Sequence, residues 1–155
     1  MESERTPEGF TQISFFMSED LHGRIRILCR PPEKPESKLV VTEALRMGVS
    51  VLTLLQKARD SELPEEETIF EDGKSLTNRE LLDVGNRLDE MVEIERNVIE
   101  PSNQWLIHLD LLNEMKADLE RLASDRKCES IEELMIDAAL AFCLTEEFKR
   151  PGIDT

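Results

Sequence analysis

The chain contains no tyrosine, one tryptophan and only 5% aromatic residues. A core must therefore be assembled mainly from Leu, Ile, Val, Met and Ala, residues that favour helices over sheets. No apolar run approaches the roughly 20 residues that a membrane span requires. The first ten residues, MESERTPEGF, are acidic and polar, which fits neither a secretory signal nor a transit peptide. Positive charge is scarce: 19 Lys and Arg face 34 Asp and Glu, a net charge of −15. The three cysteines, Cys29, Cys128 and Cys143, are an odd number without metal-ligand spacing. They read as small buried hydrophobes in a reducing, cytoplasmic setting. Catalysis also lacks its usual marks, since there is no Gly-rich phosphate loop, no zinc-spaced Cys/His cluster and no nucleophile motif. The two histidines, His22 and His108, are far apart, and His22 is expected to face solvent near a helix start. Cys29, His22 and Cys143 give no ligand spacing for a metal. The expectation is a non-enzyme without a cofactor.

What is present is a change of rhythm that occurs twice. In WLIHLDLLNEM, Trp105, Ile107 and Leu109 alternate with Leu106, His108 and Asp110, the period of a strand with one apolar face. Met115, Leu119 and Leu122 then follow at helical spacing. In ISFFMSEDL, Ile13, Phe15 and Met17 alternate before Leu21, Ile25 and Leu28 take up the helical period. The two stretches share a constant offset of 94 residues, and that offset continues through Val40/Leu134, Val41/Met135, Ala44/Ala138 and Leu45/Ala139. Few of these pairs are identities; the apolar phase is what recurs.

Each copy reads as strand, helix, turn, helix. In the first, Ser18 or Glu19 opens a helix that must end before RPPEKPE, because proline removes donors and blocks the preceding turn. Ser37 then stands at the start of a helix through about Lys57. In the second, Asp110 is placed to cap a helix ending near Ser124, and Ser130 with Glu133 fits a capping box for the last helix.

This pattern, carried by ISFFMSEDLHGRIRIL with SKLVVTEALRMGV and by WLIHLDLLNEMKADLERLA with SIEELMIDAALAF, resembles the ribbon-helix-helix superfamily. The resemblance implies a mainly α fold in which two strand-helix-helix repeats form a pseudo-dimeric unit. The strands pair antiparallel over four helices. One strand lacks a partner and one helix pair cannot bury its apolar face, so two copies are needed to close a core. The expected organisation is a first copy at 10–58, an acidic linker with a connecting helix at 61–102, and a second copy at 104–148. Within the linker, Thr77 and Glu80 form a capping box, and Leu81, Val84, Leu88, Met91 and Val98 step by three and four until Pro101. That helix could lie on the core or form a coiled-coil seam carrying Glu95. The unit could accordingly be a monomeric pseudo-dimer or a homodimer.

The family likeness implies sequence-specific DNA binding, with the outward ribbon residues in the major groove and the second helix's N-terminus on a phosphate. Gln12, Ser14 and His108 are suited to base edges, Gln above all to adenine. Ser37 and Lys38 are compatible with phosphate. Phe16 and Leu106 donate no hydrogen bonds, Asp110 repels phosphate unless it is a helix cap, and neither strand carries Arg or Lys. Residues 10–60 have a net charge of +2, residues 61–102 of −9 and residues 103–148 of −7. Positive charge is local to Arg24, Arg26, Arg30, Lys34 and Lys38, whereas DNA affinity rests chiefly on cations that displace counterions. Two functions follow. One is a DNA-binding transcriptional regulator, an autorepressor or antitoxin-like protein. The other is an interaction protein that keeps the scaffold and offers Phe16, Leu106, Glu132 and Glu133 to a basic partner, or imitates DNA.

Overall fold

The computed structural model describes residues 9–29, 40–69, 75–96 and 104–148. The alternating segment β1 (Phe10–Ser18) runs directly into α1 (Glu19–Cys29). Ser18 Oγ accepts the backbone N–H of Leu21 at 3.2 Å, so the last strand residue is also the helix cap. α2 (Val41–Asp60) follows. A short hairpin of β2 (Glu67–Ile69) and β3 (Ser75–Thr77) leads to α3 (Asn78–Arg96). β4 (Gln104–Leu112), a single turn of 3-10 helix (Asn113–Met115), α4 (Lys116–Asp125) and α5 (Ile131–Phe148) complete the described chain. The molecule is mainly helical with two small antiparallel sheets.

β1 and β4 pair antiparallel over their whole length, with Gln12 opposite Asp110, Ser14 opposite His108 and Phe16 opposite Leu106. The alternation does what its period requires. Phe15, Met17, Ile107, Leu109 and Leu111 are buried against the helices, while Gln12, Ser14, Phe16, Leu106 and His108 face outward. Below the ribbon, one core joins Leu21 and Ile25 of α1, Leu45 and Leu52 of α2, Val84 and Leu88 of α3, and Leu134, Ala138 and Phe142 of α5. α2 and α5 approach closely where Gly48 meets the Ala138 backbone. A Cβ at position 48 would stand 1.9 Å from the Ala138 carbonyl oxygen.

α3 lies on α2 and α5, which is the arrangement of a connecting helix on the core. Its capping box is complete: Glu80 N–H donates to Thr77 Oγ1 at 3.1 Å, and Thr77 N–H donates to Glu80 Oε1 at 2.8 Å. Leu81, Val84 and Leu88 are buried as their spacing predicts, Val92 replaces the half-buried Met91 as the next covered residue, and Val98 lies outside the described residues.

Several expectations are corrected. Asp110 does not cap a helix; it stays in the strand, which continues to Leu112. The 3-10 turn then leaves Met115 43% exposed instead of on the buried face of α4. α2 begins at Val41 after an extended Val40, four residues past the expected start at Ser37. Ser37, Lys38, Arg30 and Lys34 lie outside the described residues. Trp105, in phase with the apolar face, is half exposed at the end of β4, and His22 is buried beneath it rather than facing solvent. The Ser130 side of the Ser130/Glu133 box is formed. Ser130 Oγ accepts Glu133 N–H at 3.1 Å, but the Glu133 carboxylate reaches back to the N–H of Glu129 at 3.1 Å.

Candidate functional site

The outward face of the ribbon collects three pairs in register. At its centre Ser14 Oγ lies 2.7 Å from His108 Nδ1, a hydrogen bond across the strands. On one side Gln12 Nε2 donates to Asp110 Oδ1 at 3.3 Å. On the other, Phe16 faces Leu106, and these two side chains are 60% and 48% exposed. Cross-strand neighbours on one face stand about 5 Å apart, close enough for such pairs to satisfy one another. The polar groups suited to base edges are thus partly engaged within the ribbon. Asp110 adds a carboxylate that accepts from Gln12 instead of a helix N-terminus.

The ends of the ribbon differ. Beside Phe16 and Leu106, the Trp105 ring stacks on His22 with ring centroids 4.3 Å apart and planes inclined by 12°. Burial under the indole, and secondly the positive charge of Arg26, hold the His22 imidazole below its ordinary value of 6.5. At the other end Thr11 Oγ1 donates to Asn113 Oδ1, and Asn113 N–H donates to the Gly9 carbonyl at 3.0 Å, which closes the ribbon onto the turn before α4.

The start of α5 borders a cleft of about 790 Å³ reached from Gln12. Lys116 and Lys127 line it, but so do Glu120, Glu129 and Glu132, so the wall is net acidic. Glu132 and Glu133 are half-buried in the first turn of α5, where they favour the helix dipole and oppose an anion. Lys127 ends α4 with φ of 63°, in the left-handed position normally given to glycine. The N–H groups of Lys127 and Cys128 return to the carbonyls of Ser124 and Ala123 at 3.0 and 2.7 Å.

Sequence reasoning missed a chain of charged side chains behind this turn, buried at one end. Arg126 Nε donates to Asp137 Oδ2 at 2.9 Å, both side chains being almost wholly buried. Arg126 Nη2 also reaches Asp89 Oδ1 at 3.4 Å, and Asp89 Oδ2 accepts from Arg59 Nη2 at 3.0 Å. The thiol of Cys128 donates to Asp137 at 3.4 Å. This chain ties α2, α3 and the α4–α5 junction together. The one sequence signal was an aspartate, Asp137, inside an otherwise apolar helix.

Among the described residues no group of three or more His, Cys, Asp or Glu side chains is placed to hold a metal ion, and no helix is long and apolar enough to cross a membrane. Cys29 is buried, and that burial, then the nearby Glu146 and Glu43, push its thiol above the ordinary range, away from a reactive thiolate. Compared with known proteins, the chain matches no family model, no curated protein and no solved structure.

Proposed function

We propose that the protein is a single-chain ribbon-helix-helix scaffold that recognises a basic protein partner through its ribbon face. The scaffold reading is supported by an agreement between sequence and pairing. The 94-residue offset carries Ser14 onto His108, and these two residues are opposite one another. The same offset carries Gln12 to Leu106 and Phe16 to Asp110, which exchanges the two flanking pairs. A two-fold pseudo-axis through Ser14 and His108 accounts for all three. It also relates β1 (Phe10–Ser18) to β4 (Gln104–Leu112) residue for residue.

The observation that carries the partner reading is Asp110. Because it belongs to the ribbon face and not to a helix cap, that face bears a carboxylate, no Lys or Arg, and the apolar pair Phe16/Leu106. DNA affinity arises mainly from cations neutralising phosphates. A face of this composition favours a basic, partly apolar protein surface instead. Titration of the purified chain with duplex DNA and with a Lys/Arg- and Leu-rich peptide, each across a salt series, tests this. Peptide binding that weakens with salt and is lost in Phe16→Ser and Asp110→Asn, with no DNA binding at low salt, is the expected result.

A second reading has its own support. Gln12, Ser14 and His108 are exposed at the ribbon's centre, where the superfamily likeness implies base contacts. In that reading the chain is a DNA-binding regulator, with Ser37 and Lys38 on phosphate. Specific, salt-weakened binding to fragments from its own gene neighbourhood, lost on Gln12→Ala with Ser14→Ala, would replace the partner reading.

A further inference from the structure

We infer that His108, at the centre of the ribbon face, makes partner binding depend on pH: its protonation releases a basic partner. The inference rests on the ribbon reading above and names the regulation of that same face.

The centre of the face is held by the one kind of side chain whose charge ordinarily changes near neutral pH. The outward positions are Gln12, Ser14 and Phe16 on β1 and Leu106, His108 and Asp110 on β4. Among these six, Asp110 alone carries a fixed charge. An imidazolium at His108 therefore cancels the one charge on the face that attracts a basic partner. His108 and Asp110 are two residues apart on one strand, roughly 7 Å at the strand rise. A partner cation drawn to Asp110 thus stands about a Debye length or less from the imidazole, where like charges still repel.

Ser14 lets the proton arrive without rearrangement. Its Oγ lies 2.7 Å from His108 Nδ1. A hydroxyl both donates and accepts. When Nδ1 bears no proton, the Ser14 O–H donates to it; when Nδ1 is protonated, its N–H donates to Ser14 Oγ and the hydroxyl proton turns outward. The strand register and the Gln12–Asp110 hydrogen bond stay as they are. The switch is one of charge and not of shape.

The surrounding elements leave His108 in control. β1 brings no titratable group to the face. Arg46 of α2 borders a recess at Asp110, and Lys116 and Glu120 border the cleft at Gln12. Arginine, lysine and glutamate ordinarily change charge outside the range where histidine does. Beneath the ribbon, α1 supplies His22 and Arg26, and His22 is the second of the chain's two histidines, buried under Trp105 on the inner side of the strands.

The sign of the pH dependence separates the two readings of the ribbon. An imidazolium repels a basic protein and attracts a phosphate. Acid weakens the first kind of binding and strengthens the second.

The test is titration of the full chain, at low fixed salt and at about pH 7.5 and about pH 5.5, with the Lys/Arg- and Leu-rich peptide. The peptide is acetylated, amidated and free of His, Asp and Glu, so none of its groups titrates in that range. The dissociation constant is expected to rise about three- to tenfold at the lower pH. His108→Gln, which keeps a polar side chain that takes no charge, is expected to make the two constants equal, whereas His22→Phe keeps the wild-type ratio. Read from the other side in the wild type, bound peptide is expected to lower the midpoint at which the His108 imidazole resonance titrates by the logarithm of the same ratio, about half a unit to one unit. Equal constants in the wild type, or an unmoved His108 midpoint, overturn the inference and leave the ribbon reading standing. A ratio that survives His108→Gln, or is lost in His22→Phe, also overturns it. No peptide binding at about pH 7.5 removes the ribbon reading and the inference together. Duplex DNA bound more tightly at the lower pH, with the gain lost in His108→Gln, overturns it as well, because the ribbon then answers to phosphate.

Discussion

α2 and α5 pack against each other at the centre of the molecule, yet they have opposite compositions. Eight of the twenty residues of α2 are exposed, among them Glu43, Arg46, Ser50, Thr53 and Lys57. No described side chain of α5 is exposed. The cause is the number of neighbours. α5 is enclosed by α1, α2, α3, α4 and β1, whereas α2 meets α1, α3 and α5 and keeps an exposed side. On α5 the residues Leu140, Cys143 and Leu144 are buried; 94 positions earlier on α2 stand Arg46, Val49 and Ser50, of which Arg46 and Ser50 are exposed. A helix that is apolar all round is a buried helix, and here α4 and β1 are the further neighbours that α5 has and α2 lacks. The lesson is that two helices packed on one another can differ strongly in surface when further elements cover only one of them.

The severest perturbation falls at the contact the two helices share. Gly48→Ala places a methyl 1.9 Å from a backbone oxygen that has no freedom to move, so the helices must separate. A loss of about 4 kcal/mol or more is expected, read by urea unfolding followed by circular dichroism. Next comes the polar link that fastens α5 to α3. Asp137→Ala strands the buried Arg126 guanidinium and is expected to cost about 3–5 kcal/mol, while Arg126→Met together with Asp137→Leu recovers most of it. If the single and double variants are equally unstable, the pair is not the reason for the effect.

Exchanging residue character across the 94-residue offset separates the effect of coverage from that of composition. Leu140→Arg puts a charge under α3 and is expected to destabilise by about 3 kcal/mol, while Arg46→Leu on the open side stays within about 0.5 kcal/mol. Equal losses would mean that coverage does not account for the difference. Gly85→Ala is milder than Gly48→Ala. Its Cβ meets Leu55 Cδ1 at 2.6 Å, the end of a flexible side chain, and alanine returns about 1 kcal/mol of helix propensity, so a net change within about 1 kcal/mol is expected. The smallest effect belongs to His22 of α1, one of the helices covering α5. Its folded-state value lies below 6.5, so on acidification the unfolded chain takes up the proton first. Stability therefore falls as pH drops through 6.5 and levels once the folded-state value is passed; His22→Phe should flatten that slope in unfolding curves.

Much of the fold was legible because periodicity records which face is buried. The alternation of Ile13, Phe15 and Met17 and of Ile107 and Leu109 located both strands, and Thr77 with Glu80 located the start of α3. Three things were not legible. Asp110 has the residue type of a cap, and only the register with Gln12 shows that it belongs to the ribbon. Trp105 has the right phase for burial but sits at a strand end, where the core gives out and His22 is the surface it covers. The chain of Arg59, Asp89, Arg126 and Asp137 joins residues far apart in sequence, and pattern reading within one element cannot see it. For the candidate site, phase alone assigned Gln12, Ser14, Phe16, Leu106 and His108 to the outward face; their mutual hydrogen bonds came from register.

The ribbon joins strands whose central residues are 94 positions apart. Helices form from neighbours along the chain, whereas this pairing must close a loop of about three-fifths of the chain before it gains anything, and non-local pairing is slow for that reason. Closure of the ribbon accordingly waits on residues 104–112, and His108 has to leave the ribosome before Ser14 has a partner. A chain that stops before β4 can form α1, α2 and α3 while β1 keeps an unpaired edge.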